Sequence, residues 1–140
     1  MHDPLQESSE TFNIAHAIAI AEGFGKANTI PTTRHNPGDL TNFLGQKILF
    51  DTDDDGWSAL YRQVNLMISG RSRYYKPTMT WEEIGKIYDG EAEYMNWVNN
   101  VCDSLQVETT STINDYIAGI RKVQINVAVA DSVNLGDKIS

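Results

Sequence analysis

Residues 12–23 read Phe-Asn-Ile-Ala-His-Ala-Ile-Ala-Ile-Ala-Glu-Gly, and this stretch decides the fold. After Asn13 it carries only apolar residues and one histidine until it ends in a carboxylate. Such a segment predicts a helix buried on most of its circumference, because a helix apolar all round has no face meant for water. Glu22 lies one turn beyond Ile18 and two beyond Ile14, so it continues the apolar stripe. Gly23 offers a helix stop, and Gly25 loosens the chain just after it. Two readings of Glu22 follow. Either it curls into solvent, as most glutamates do, or burial disfavours its charged form and keeps it protonated near neutrality as a proton donor.

The rest of the composition frames that helix. A chain of 140 residues fits one domain, and 41% hydrophobic with 21% charged residues describes an ordinary globule. The net charge of -8 argues against duplex nucleic acid or an anionic membrane surface as partner, since both demand dense Lys and Arg. A single cysteine, Cys102, excludes an internal disulfide framework; on the apolar stripe of a predicted helix it reads as a buried, inert thiol. Met1 to Glu10 is acidic and polar, with neither the basic nor the apolar region of a secretory signal. No run approaches the roughly 18 apolar residues of a membrane span. The expectation is a chain that reaches any target outside the cytoplasm by another route, or as part of a larger virion or secretion assembly.

Taken in order, residues 1–11 read as a flexible arm, with Ser8, Ser9 or Thr11 as the cap of the first helix. Residues 24–38 read as a long irregular connection, a type of segment that is often functional. Asp39 to Phe43 and Lys47 to Phe50 read as a small hairpin around Leu44-Gly45-Gln46. Asp51-Thr-Asp-Asp-Asp-Gly56 opens like a calcium loop, but its twelfth position is Arg62 where a bidentate Glu belongs. An acidic turn capping the next helix fits better. That helix spans Trp57 to Ile68, with apolar residues recurring at three and four. Arg71-Ser-Arg-Tyr-Tyr-Lys-Pro77 follows as a basic loop, and Thr80-Trp-Glu-Glu83 is a capping box opening a helix through Tyr88. Further helices are expected over Ala92 to Leu105 and Thr112 to Val123, closing a domain over 12–123. The 124–140 tail lacks a helical period and reads as an extended strand through Ile125, Val127 and Val129. The fold class expected is α+β, mainly α: a helical domain with a small β-hairpin after the first buried helix.

That order of elements resembles the lysozyme and lytic transglycosylase superfamily. Ala21-Glu-Gly23, Ile30-Pro31, Arg34-His-Asn-Pro-Gly-Asp-Leu40, Gly56-Trp-Ser-Ala-Leu60 and Tyr94 with Val98 are similar to words of a phage-type, lysozyme-like family. Its members show an early Glu-Gly, an Arg-Asn-Asn-Pro-Gly-Asn-Leu word, a Gly-x-x-Ala-Leu helix opening and a late Tyr followed by Leu-Gly-Val. The similarity covers about residues 13 to 117. His35 and Asp39 replace two asparagines of that word, and Leu105-Gln-Val107 stands where Leu-Gly-Val is usual.

The resemblance implies cleavage of the β-1,4 bond between N-acetylmuramic acid and N-acetylglucosamine in peptidoglycan, in the periplasm or cell wall. Glu22 would protonate the leaving oxygen. In a transglycosylase that single acid suffices, because the N-acetyl oxygen assists C1 and the sugar's 6-hydroxyl closes an anhydro ring. If water is used instead, a second carboxylate is required, with Asp39, Asp51, Asp53 and Asp54 as candidates. For Asp39 a plain turn acid after Pro-Gly is the reading the residues favour over a catalytic one.

Arg34 lies in the same word; Asn36 and the backbone at Gly38 fit an N-acetyl group, or simply an Asn-Pro-Gly turn. Tyr88 is similar to the transglycosylase tyrosine that orients the acid, yet Ile84, Ile87 and Tyr88 also form a core stripe. Tyr74 and Tyr75 beside Arg71, Arg73 and Lys76 suit a glycan cleft or a solvated loop. His16 sits about 240° round the helix from Glu22 and reads as a packed histidine. No zinc-spaced Cys/His cluster or phosphate loop is present in the sequence, so neither metal nor cofactor is expected. The rival reading is a non-catalytic wall-binding or structural module.

Overall fold

The first helix, α1, runs Ser9–Glu22 and is bounded by side chains that the sequence supplies. Ser8 Oγ accepts the Thr11 amide at 3.3 Å, satisfying one of the free donors at the helix start. At the other end Gly23 takes φ 84°, its N–H donates to Ile20 O, and the Phe24 N–H reaches back to Ala19 O. This is a Schellman ending, and it requires a residue free to adopt the left-handed conformation. Ile14, Ala15, Ala17, Ile18 and Ala19 are buried, whereas Phe12, Asn13 and Ile20 are exposed. The helix is therefore buried along one broad side rather than all round.

This computed structural model describes residues 7–139 and, beyond position 126, the side chains of 128 and 129 alone. The elements after α1 are α2 (Ile30–Thr33), α3 (Asp53–Ser69), α4 (Trp81–Asp89), α5 (Tyr94–Leu105) and α6 (Ile113–Ile139). α1 packs on α5 and α3, and α4 packs on α5. Ile14, Ile18, Leu60, Val64, Met67, Trp81, Ile84, Val98 and Val101 meet in one core with no more than traces of exposure. Burial of these large apolar side chains supplies the main driving force for the assembly. His16 packs as expected, between the Phe12 and Trp57 rings at 4.1 and 4.2 Å, with Nε2 3.0 Å from the Tyr61 hydroxyl. Cys102 is buried, and burial pushes its thiol up to about 12.

Local chemistry explains the helix starts. Thr52 Oγ1 accepts the Asp55 amide, and Asp53, Asp54 and Asp55 fill the first turn of α3, where the helix dipole favours negative charge. The acidic run is thus a helix opening. The capping box at α4 is complete: Glu83 N–H donates to Thr80 Oγ1, and Thr80 N–H donates to Glu83 Oε1.

Three expectations need correcting. Residues 24–38 are not wholly irregular, because Ile30–Thr33 form α2 with Pro31 in its first turn. The hairpin over 39–50 is reduced to one antiparallel bridge, Thr41 with Lys47, and there is no sheet among the described residues. Two backbone bonds cross the turn, Asn42 N–H to Gln46 O and Ile48 N–H to Leu40 O, and side chains take much of the rest: Asn42 Oδ1 accepts the amides of Leu44 and Gln46, while Asn36 Nδ2 donates to the carbonyls of Leu40 and Ile48. With backbone groups satisfied this way, extended pairing gains little. The tail is not a strand either; α6 continues to Ile139. Of the expected N-terminal arm, residues 1–6 lie outside the described residues, and Ser9 to Thr11 already belong to α1.

Candidate active site

Glu22 ends α1 partly buried, one turn beyond the fully buried Ile18. Its carboxyl is pushed up to about 8. Burial is the largest cause, followed by the charges of Asp39 and Asp89; Lys47 and the indole of Trp97 pull the other way. Its position at a helix C-terminus, where the dipole disfavours negative charge, acts in the same direction as burial.

Asp39 approaches from the loop after α2. It adopts φ 50°, a left-handed conformation in which Asn and Asp are the most tolerated side-chain-bearing residues. Its Oδ2 pairs with Lys47 Nζ at 2.7 Å, and its carbonyl accepts a second bond from the same ammonium at 3.2 Å. Asp39 Oδ1 is buried and has no hydrogen-bond partner among the described residues. Tyr88 completes the arrangement, its hydroxyl donating to Gly38 O at 2.5 Å and its ring stacked on Trp97 with centroids 4.9 Å apart. Burial, with the charges of Glu22, Tyr75 and Asp39, holds the Tyr88 phenol well above its ordinary range. Tyr75, 5.9 Å from Tyr88 between ring centroids, is pushed up to about 12 by burial and then by Glu22. Both phenols are therefore neutral donors at physiological pH.

Asp39, Thr41, Lys47, Tyr74, Tyr75 and Tyr88 line a cleft of about 190 Å³. Glu22 is not among those lining residues, but its charge acts on two of them, Tyr75 and Tyr88, and that of Asp39 acts on Glu22. The cleft is smaller than the roughly 300–1,000 Å³ of a typical small-molecule pocket. Two other clefts, of about 600 and 630 Å³, lie between the end of α5 and α6 and between the start of α1 and the later turns of α3, and neither is lined by Glu22 or Asp39. No protein-family model, curated protein or solved structure matches this chain.

Of the residues singled out in the sequence, Glu22, Asp39, Gly38, Tyr74, Tyr75 and Tyr88 come together. Asn36 and Arg34 do not serve the cleft. Asn36 is fully buried, and both of its amide hydrogens go to Leu40 O and Ile48 O while its oxygen accepts the Leu40 amide. No donor is left for an N-acetyl group, so this residue is scaffold. Arg34 is exposed at the end of α2, where its backbone is bonded, its N–H donating to Ile30 O and its carbonyl accepting the Phe50 amide. Gly38 matters for packing: a Cβ there would sit 2.7 Å from Leu60 Cδ1 and 3.2 Å from the Tyr88 hydroxyl. Tyr74 is exposed at the cleft mouth, with the Arg73 guanidinium 5.7 Å from its ring centroid. Asp51, Asp53 and Asp54 sit at or before the start of α3, where Asp53 bonds His35 Nδ1 at 2.8 Å.

Lys47, Asp89 and Trp97 belong to the site although no sequence word announced them. For Asp89 a signal did exist, an acid on the last turn of a helix, opposed to the dipole. The Trp97 indole N–H is buried without a hydrogen-bond partner among the described residues, and it acts on Glu22. Tyr88→Phe is expected to cost about 1–2 kcal/mol in urea denaturation, because it strands the buried Gly38 carbonyl. An unchanged midpoint would show that this bond is dispensable.

Proposed function

We propose that this protein cleaves the β-1,4 bond between N-acetylmuramic acid and N-acetylglucosamine in peptidoglycan, with Glu22 as general acid. The observation that carries the reading is a carboxyl that keeps its proton to about 8 beside a second carboxylate and two neutral phenols. An acid so tuned holds its proton near neutral pH, and it can return to work as a base. Glu22 would give its proton to the glycosidic oxygen as the C1–O bond breaks. Two completions are open to the same residues. Asp39 takes a proton from a water that adds to C1, which needs roughly 6.5–9.5 Å between the carboxyls, or the sugar's 6-hydroxyl adds to C1 and returns a proton to Glu22. Mass analysis of the products separates them: reducing ends mean hydrolysis, anhydro ends mean internal closure.

Lysis by the wild type is expected to fall as pH rises through about 8, since the acid form is then lost. A rate constant across pH 6 to 9 would count against Glu22 as proton donor.

One observation favours a second reading, a non-catalytic wall-binding or assembly module. The net charge of -8 is ill suited to a wall carrying anionic polymers. Co-sedimentation with purified peptidoglycan, without release of soluble fragments by either wild type or Glu22→Gln, would support the binder.

A further inference from the structure

Lys47 presents a question that the glycosidase reading does not answer. A half-exposed lysine paired with a carboxylate is common on surfaces and contributes little. This one differs in three respects. Its ammonium grips both the carboxylate and the carbonyl of one residue, at 2.7 and 3.2 Å. That residue, Asp39, has a side chain only 19% exposed and a second oxygen buried without a partner among the described residues. Its backbone, at φ 50°, is held where few side chains rest.

The lysine is itself anchored from behind. Lys47 forms the antiparallel bridge to Thr41, and the turn between them is closed by Asn42 N–H to Gln46 O at 2.8 Å. Asn42 Oδ1 takes the Leu44 and Gln46 amides at 2.9 and 3.1 Å. A turn so tied presents the ammonium from a fixed root, which is what a supporting residue needs in order to orient a reactive one.

We infer that Lys47 is a positioning residue: it clamps Asp39 in a single orientation on the wall of the cleft, with one carboxylate oxygen and the backbone carbonyl both bound by the ammonium. This rests on the glycosidase reading and deepens it. The clamp also places one positive charge among three carboxyls, those of Asp39, Asp89 and Glu22, with Glu93 next to Asp89. Around Glu22 the remaining polar groups are the Tyr75 and Tyr88 phenols and the Trp97 indole.

The test compares wild type, Lys47→Met and Lys47→Arg in the full chain. Methionine keeps the apolar stem and removes the charge and donors; arginine keeps both. Lys47→Met is expected to lower kcat on purified peptidoglycan roughly 10- to 100-fold with KM little changed, the loss typical of a misplaced reactive group. The alkaline limb of its pH profile should move upward, because the cation that pulls Glu22 down has gone. Lys47→Arg should restore both. A residue of purely structural importance would lower the rate at every pH and leave the limb in place. In parallel, ¹³C-labelled carboxyls read the titration of Glu22 directly, independent of turnover, and thermal melts confirm that each variant folds. An unmoved Glu22 midpoint, or failure of arginine to restore the rate, overturns the proposal. If the wild type shows no Glu22-dependent lysis, the glycosidase reading is the one that fails, and the carboxyl titration alone decides whether Lys47 governs the pair.

Discussion

Glu22→Gln is expected to abolish lysis of purified peptidoglycan, with a loss of roughly 100- to 10,000-fold, the range a positioned general acid contributes. Glutamine keeps the shape and hydrogen-bonding reach of the side chain but carries no proton to donate, so binding to the wall should persist. The same variant should be more stable than wild type, and the sign follows from linkage. The folded pKa of Glu22, about 8, lies above its ordinary value of 4.5. Between those two values the folded state holds a proton that the unfolded state releases. Stability therefore falls as pH rises from about 4.5 to 8, by an amount on the order of a few kcal/mol. Glutamine removes that dependence. A rising gain in melting temperature from pH 5 to pH 8, together with lost lysis, is the expected signature of a residue kept for chemistry at the expense of the fold. Retained lysis in this variant sinks the proposed function.

Gly56→Ala should be the most damaging small substitution. A Cβ at that position would lie 2.0 Å from the His35 carbonyl oxygen and 2.7 Å from Pro37 Cδ. Those are backbone and ring atoms, with no flexible end to move aside, so either α3 or the 35–38 turn must shift. The cost is expected at about 3 kcal/mol, the upper part of the range for overpacking. Because Asp39 follows that turn directly, activity should fall with stability. Gly119→Ala is the matched control: it lies within α6 with open space around it, and alanine should leave stability unchanged or raise it by up to about 1 kcal/mol. Equal behaviour of the two variants in chemical denaturation would refute the steric account.

The Gly56 contact also shows why parts of the architecture were legible before any coordinates. Two of the words that carried the family resemblance, Arg34–Leu40 and Gly56–Leu60, touch each other in space, since Gly56 abuts His35 and Pro37 and Leu60 abuts Gly38. Helices with a sharp amphipathic period or an explicit cap, such as α3, α4 and α5, are written locally and could be placed within a few residues. α6 was legible only as far as Val123: Ile113, Tyr116, Ile117 and Ile120 carry a stripe, but Val123, Ile125 and Val129 are exposed, and alternating β-branched residues read as a strand when nothing else constrains them. The 39–50 segment misled for another reason: its backbone pairing stops at one bridge, and the Asn36 and Asn42 amides bond much of what remains. In the site, Glu22 stood out because a carboxylate at the end of an apolar helix breaks a pattern. Lys47 and Trp97 break no such pattern, Asp89 breaks one only weakly, and the meaning of all three depends on contacts across 25 to 75 positions of chain that spacing alone does not reveal.

The stapling of the 39–50 segment by a few side-chain bonds has one more consequence. Glu22, Tyr88 and Trp97 stand on helices embedded in the core, whereas Asp39 and Lys47 ride on a stretch without regular structure, tied down chiefly by Asn36, the Arg34–Phe50 bond and Tyr88. The two halves thus belong to cooperative units of unequal strength. The 39–50 segment can open while every helix is still intact, and a far-ultraviolet spectrum that looks native certifies the scaffold only.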